Sequence, residues 1–201
     1  MATKSSISII TEPFRLAFPS VFKPAVNKLN PNAAPRYEIT MLFPKSVNIK
    51  ALNDIAVEAI KLKWGNDPAQ WPKDLRSPFR DGDTKADREG YAGHTFVKAS
   101  TTLAFGIVDQ NRQPIISQEK LYAGCWCRAS VHAWAYDTTG NRGVSFGLDA
   151  LQLVKDDTRF ARGGADAQKV FTVLPGGAAS KDDPNAYQQP NAAGSGSPFA
   201  N

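Results

Sequence analysis

The feature that most constrains this 201-residue chain is the stretch YAGCWCRASVHAWAY at positions 122–136. Its odd positions, Ala123, Cys125, Cys127, Ala129, Val131, Ala133 and Ala135, are all small and apolar. Its even positions include Tyr122, Trp126, Arg128, His132, Trp134 and Tyr136, which are large, aromatic or basic. Successive side chains of a strand point to opposite faces, so this stretch reads as a strand with bulk on one side only. An ordinary half-buried strand turns its large apolar residues inward. The crowded concave wall of a small barrel needs the reverse, with small residues inside. Fully extended, the stretch would span about 50 Å, so it must bend, and Gly124 or the pair Ala129 and Ser130 are the expected bends. A register change there would swing Trp134 and Tyr136 inward; the pattern leaves core and surface equally open for these two rings.

The rest of the chain fits a β-rich body. SISIITEPFRLAFP begins with alternation and is broken by Pro13 and Pro19, predicting one or two short or edge strands. RYEITMLFP places Tyr37, Ile39, Met41 and Phe43 on one face of a strand. NIKALNDIAVEAIKLKWG carries Ile49, Leu52, Ile55, Ala56, Ala59, Ile60 and Leu62 at helical spacing, with Ser46 as the expected cap and Gly65 as the stop. Residues 66–89 are polar, Pro-rich and without a period, so they read as a long loop, which in a compact domain is functional or disordered. Strands follow at HTFVKAS, in the LAFGIVD region, at QPIIS and at GVSFGLDALQLVKD, the last after a hairpin turn centred on Gly140 and Asn141. Consecutive short strands with one helix predict an all-β domain, a small Greek-key barrel or a sandwich.

Residues 1–174 are expected to form that domain and residues 175–201 a disordered tail. The tail is dense in Gly, Pro, Ala, Ser, Asn and Gln, and its last large apolar residue is Phe199. Such a segment buries too little apolar area to offset its ordering entropy. Lys181 against Asp182 and Asp183 leaves the tail at −1, so the +5 chain has a +6 body. A basic body is compatible with a polyanionic partner.

Several classes find no support. No apolar run approaches the ~20 residues of a membrane helix, and the start has no secretory pattern, so a cytosolic protein is expected. The two cysteines, Cys125 and Cys127, fall on one face of the predicted strand and read as buried thiols rather than a disulfide framework. With only His94 and His132 beside them, no metal site is expected. Nucleotide-loop, nucleophile-elbow and zinc-protease motifs are absent. Neither an enzyme nor a cofactor is expected.

What remains is rings interleaved with cations. In HTFVKAS, His94, Phe96 and Lys98 share one face, with Tyr91 just before them. The preceding segment supplies Trp64, Trp71, Arg76, Phe79, Arg80, Lys85 and Arg88. Unpaired bases stack on rings for roughly 1–3 kcal/mol each while cations follow the phosphates. Duplex DNA hides its base faces and is read along groove edges instead. The expected stacking residues are Tyr91, Phe96 and Trp126, with Trp64, Trp71, Phe79 and Tyr122. The expected phosphate contacts are Lys98, Arg128, Arg76, Arg80 and His94. The same pattern also suits an RNA-binding module, or a structural or protein-interaction β-domain that uses its rings as a protein interface.

YAGHTFVKAS, LYAGCWCRASVHAWAYD and GNRGVSFGLDALQLVKDD, in this order after YEITMLFPKS, resemble the phage-encoded single-stranded DNA-binding proteins with an OB-fold. The likeness runs from about Ser8 to Phe171. It implies a five-stranded barrel with an inserted helix, binding single-stranded DNA without strong sequence preference in replication and recombination, inside the infected bacterium. Family motifs fall on Tyr91, His94, Phe96, Lys98, Tyr122, Arg128 and Phe146. The likeness also implies a tail that recruits replication or recombination proteins through a terminal Phe. Here Phe199 is followed by two residues and preceded by few acids, a departure from that pattern.

Overall fold

The computed structural model describes residues 8–26, 31–138 and 140–160. Their strands are β1 (Ile9–Ile10), β2 (Phe14–Ala25), β3 (Arg36–Pro44), β4 (Phe79–Asp81), β5 (His94–Thr101), β6 (Gly106–Val108), β7 (Trp126–Thr138) and β8 (Asn141–Lys155). One helix, α1 (Lys50–Trp64), stands between β3 and β4.

Five strands pair in a cycle. β2 pairs antiparallel with β3, and β3 with β5. β5 runs parallel to β8 at Ala99 and Ser100, β8 is antiparallel to β7, and β7 returns to β2. This is the expected five-stranded OB arrangement with one inserted helix. The short strands are additions at its edges: β1 on β7, β4 on β5, and β6 parallel to β8.

The alternation in β7 holds. Cys127, Ala129, Val131 and Ala133 are all buried, and they share one cluster with Leu16, Ile39, Met41, Val97, Phe146 and Leu148. Helix α1 packs against β7 and adds Leu52, Ile55, Ala56 and Ala59 to that cluster. One irregularity falls beside the expected pair Ala129 and Ser130 and a second at Trp126 and Cys127, but the extra residues are on the partner strand. Between the pairs Ser130↔Ala150 and Val131↔Leu148, β8 carries an extra residue, Asp149; between Trp126↔Lys155 and Cys127↔Leu153 it carries Val154. Because the bulges lie on the partner strand, β7 keeps its faces and β8 takes the curvature. Gly124 lies just before β7 at φ 110°, and its N–H donates to Leu16 O at 2.8 Å. The two cysteines are free, buried and 3.7 Å apart between sulfurs.

Three local expectations are corrected. Ser46 does not cap α1; the helix starts after Ile49, where the Asn48 side-chain oxygen accepts from the Lys50 N–H at 2.9 Å. QPIIS forms no strand, only a bridge from Pro114 to Val108 and a bond from the Ile115 N–H to Ile107 O. The segment 66–89 is ordered by two 3-10 turns, Pro68–Gln70 and Gly82–Lys85, and by β4. The helix stop is as expected, the Gly65 N–H closing on Lys61 O; the β7–β8 hairpin forms too, but Asn141, expected at the centre of its turn, already belongs to β8 and pairs with Thr138. The domain boundary at 174, the tail and Phe199 lie outside the described residues.

Candidate nucleic-acid interface

On β5, Val97 and Ala99 point into the barrel core, which turns Phe96 and Lys98 outward. β4 pairs with β5 so that Arg80 lies opposite Phe96. Just upstream, Arg76 bridges to Gly143 of β8, its N–H donating to Arg142 O at 2.9 Å. These pairings draw Arg76, Arg80, Phe96, Lys98, Tyr136 and Ser145 around one shallow cleft of about 160 Å³. Gly143 makes the cleft possible. A Cβ there would stand 2.6 Å from Arg76 O and 2.8 Å from the Tyr136 hydroxyl. The glycines of GNRGVSFG thus make room for neighbours, Gly147 likewise lying under the His132 ring.

The rings left open by the pattern face outward. Trp134 is 42% exposed, and its ring lies 5.7 Å from that of Tyr136 at a tilt of 58°. Cations extend the cleft on the other side. The Lys85 Nζ lies 5.0 Å over the Phe96 ring. Burial, and then the charges of Arg88, Arg80 and Lys98, push its ammonium pKa below the ordinary value. This marks four cations crowded on one face. Arg76, Arg80, Lys85 and Arg88 make no ion pair with another described residue, whereas Lys98 is paired with Glu38 at 2.7 Å. The segment bearing Arg80, Lys85 and Arg88 is tied to the end of β3: Lys45 Nζ meets Asp81 at 2.8 Å and Asp83 at 2.5 Å, and Asp83 also accepts the Gly93 N–H at 2.6 Å.

Several expected site residues stand apart from the cleft. Tyr91 and Phe96 are each 2% exposed, packed edge-to-face at 5.2 Å in a small cluster with Ala17 and Leu42. They lie outside the barrel, as the face argument required, but the segment 79–91 is laid over them, so neither offers an open ring. Phe79 is turned inward against Phe146 at 5.8 Å. Trp64 ends α1, and the Trp71 indole donates to Gly65 O at 2.8 Å; neither lines the cleft. His94 sits at the start of β5 with Nδ1 2.8 Å from Ala92 O. Trp126 and Arg128 are ten and eight residues from Tyr136 on β7, at roughly 3.3 Å per residue, hence near the opposite end of the strand. The Trp126 indole donates to Asp157 at 2.7 Å with Lys155 and Arg15 near its ring; Arg128 donates to Gln152 at 2.8 Å. Tyr122, half-buried against the core, holds Asp156 and Asp157 through its hydroxyl.

Of the expected set, then, Arg76, Arg80, Lys98 and the edge of Phe96 come together. Tyr136, Lys85 and Arg88 join them. A further ring that the sequence reading passed over is Phe18, 58% exposed on β2 with the Arg88 guanidinium 5.8 Å from its centroid. The signal for it was the Phe-Pro pair inside a strand, a mark of a bulge.

Among the described residues, no helix is long and apolar enough to cross a membrane, and no group of His, Cys, Asp and Glu is arranged to hold a metal ion. The family model described as "Enterobacter phage Enc34, ssDNA-binding protein" matches residues 7–184. Protein p50 of Acyrthosiphon pisum secondary endosymbiont phage 1 is 32% identical over 169 residues, which is 80% of this chain and 90% of that protein. Among solved structures, the single-stranded DNA-binding protein from bacteriophage Enc34 in complex with ssDNA is similar at TM-score 0.64 and 22% identity, over 80% of this chain and 96% of that one. The single-stranded DNA binding protein gp2.5 encoded by bacteriophage T7 is similar at TM-score 0.57 and 15% identity, over 87% of this chain and all of that one. At these identities the two structures speak for the fold. The family match covers most of the sequence, and the chain belongs to the family of the Enterobacter phage Enc34 ssDNA-binding protein.

Proposed function

We propose that this protein binds single-stranded DNA without sequence preference, through the cleft between β4, β5 and β8 and the cations beside it. The work is that of phage DNA replication and recombination in the cytoplasm of the infected host. Arg76, Arg80, Lys85 and Arg88, with Lys98, take the phosphates. Tyr136 and Trp134 take the bases, in place of the buried Tyr91 and Phe96. The reading is supported above all by one juxtaposition: Arg76, Arg80, Lys85 and Arg88, which make no ion pair with another described residue, stand with the exposed Trp134 and the partly exposed Tyr136 on the outside of an OB-fold. Unpaired bases can lie flat on such rings while their phosphates reach the cations; stacked duplex bases cannot. Family membership points the same way.

Titration of fluorescein-labelled oligo(dT), its RNA counterpart and a matched duplex at several salt concentrations tests this. The single DNA strand is expected to bind more tightly than the duplex, with affinity falling steeply as salt rises. Equal affinity for the duplex, or binding indifferent to salt, would sink the proposal.

A further inference from the structure

Phe18 is held in an uncomfortable backbone conformation. Its φ is 46°, in the left-handed region that a bulky residue rarely adopts, and Pro19 follows, which disfavours helical conformations still further. The cause is a bulge: β2 advances from Ala17 to Ser20 while β3 advances only from Thr40 to Glu38. Bulges re-aim side chains, and this one throws the Phe18 ring out of the sheet, 6.3 Å from Tyr91 behind it. Local strain of this kind clusters at functional positions.

In front of the ring is an open pocket of about 270 Å³, lined by Phe18, Ser20, Gln118, Leu121, Tyr122 and Ala123. That is just under the ~300–1,000 Å³ of pockets that enclose whole drug-sized ligands, and it suits one planar group whose attachments stay outside. Two rings flank it, and each carries an arginine: Arg88 at 5.8 Å from Phe18 and Arg159 at 4.2 Å from Tyr122. Neither arginine makes an ion pair with another described residue. Ser20 and Gln118 offer hydrogen-bonding groups beside the apolar wall. Arg88 belongs to the same cation group as Lys85 and Arg80, so pocket and cleft share one continuous face.

Building on the single-strand reading above, we infer that this pocket is a second base-binding station, taking one unpaired nucleobase against Phe18 with its flanking phosphates on Arg88 and Arg159. The bound strand then crosses the outside of the barrel from β8 and β4 over the 82–91 segment to β2, rather than ending at the cleft. The bulge at Phe18 is the device that presents the ring.

The test is photocrosslinking of the full chain to oligo(dT) carrying 5-iodouracil, with the linked peptides mapped, alongside affinities of Phe18→Gly and Phe18→Trp. A crosslink at Phe18 or Tyr122 is expected. Phe18→Gly, which relieves the backbone strain, should melt no lower than the parent yet bind about ten-fold more weakly, and Phe18→Trp should bind like the parent. Crosslinks confined to the Arg76–Lys98 region and Tyr136, with Phe18→Gly binding unchanged, would overturn the pocket and leave the cleft standing. An oligonucleotide that neither binds nor crosslinks anywhere would overturn both.

Discussion

Phe96 lies on the side that strand periodicity assigns it and is nevertheless covered, while Tyr136, which the pattern leaves open, faces outward. Alternation places Phe96 on the outer side of β5, and that is where it is, yet its ring is 2% exposed because Lys85, Tyr91 and Leu42 cover it. A period-two pattern reports which side of a sheet a residue faces, not what another segment lays over that side. Phe96→Ala is therefore expected to act on stability, at about 3–5 kcal/mol for truncating a buried Phe, read as a lower urea midpoint with unchanged slope. An unchanged midpoint with weakened DNA binding would return Phe96 to the surface. Tyr136 is the converse case, its orientation undetermined by the pattern and outward in the fold. Tyr136→Ala should weaken oligo(dT) binding by roughly 1–3 kcal/mol, the worth of one stacked base, with the melting temperature little changed. Gly143→Ala should damage both properties. Its Cβ would collide with backbone at Arg76 O, 2.6 Å away, and crowd the Tyr136 hydroxyl, so a loss of about 1–3 kcal/mol in stability should accompany weaker binding.

At the scale of elements, β3, β5, β7, β8 and the helix were legible because each carries its own period, whereas β2, expected as short or edge strands broken at Pro19, runs through that proline from Phe14 to Ala25. The covering segment 66–93 was not legible, because it has no period and is held by charge. Lys45 raises the segment's order through Asp81 and Asp83, and the hydrogen bonds to that ammonium, then the amides of Asp83 and Gly93 respectively, hold both carboxyls below their ordinary range. Those same two carboxylates raise the Lys45 pKa. Depressed carboxyl values mean that their contribution is fully present above the free-acid value of about 3.9 and is lost as pH falls through the lower folded values. The raised lysine value means that its contribution is present below about 10.4 and is lost as pH climbs past the folded value. The latch should thus be constant between about pH 5 and 9 and open in acid. The Gly93 amide proton, bonded to Asp83, reports this by NMR: its shift should titrate with a midpoint below that of a free aspartate, and Lys45→Met should move the midpoint up. A midpoint unmoved by that change would assign the depression to something other than Lys45. The curvature of β8 was likewise hidden, since Asp149 and Val154 look like ordinary strand residues until their partners on β7 are known.

At the scale of the molecule, a net charge of +5 does not distinguish a polyanion binder from any basic protein; the pairing of the charges does. Away from the proposed track, Lys50 is satisfied by Asp54 and Lys61 by Glu58, and at its border Arg142 is satisfied by Asp137 and Asp74. On it, Arg76, Arg80, Lys85 and Arg88 lack such partners among the described residues, and only Lys98 has one, Glu38. A phosphate meeting an unpaired cation releases its counterion in full, whereas at Lys98 it must compete with a carboxylate already in place. Single-strand binding should lose log affinity with log salt at a slope near −0.7 per neutralised phosphate. The four cations of the cleft face then predict about −2.8, Arg159 at the second station carries the slope to about −3.5, and Lys98 adds less than a full increment. Lys85→Gln should flatten the slope by about 0.7, because that ammonium sits among Arg80, Arg88 and Lys98 and is eased by an incoming phosphate. Glu38→Gln should steepen it, since freeing Lys98 adds a cation to the track. Oligo(dT) titrations of the parent and both variants across salt decide the matter: a Lys50→Gln control should leave the slope alone, and a slope that moved as much for Lys50→Gln as for Lys85→Gln would mean that total charge, and not the track, sets the binding.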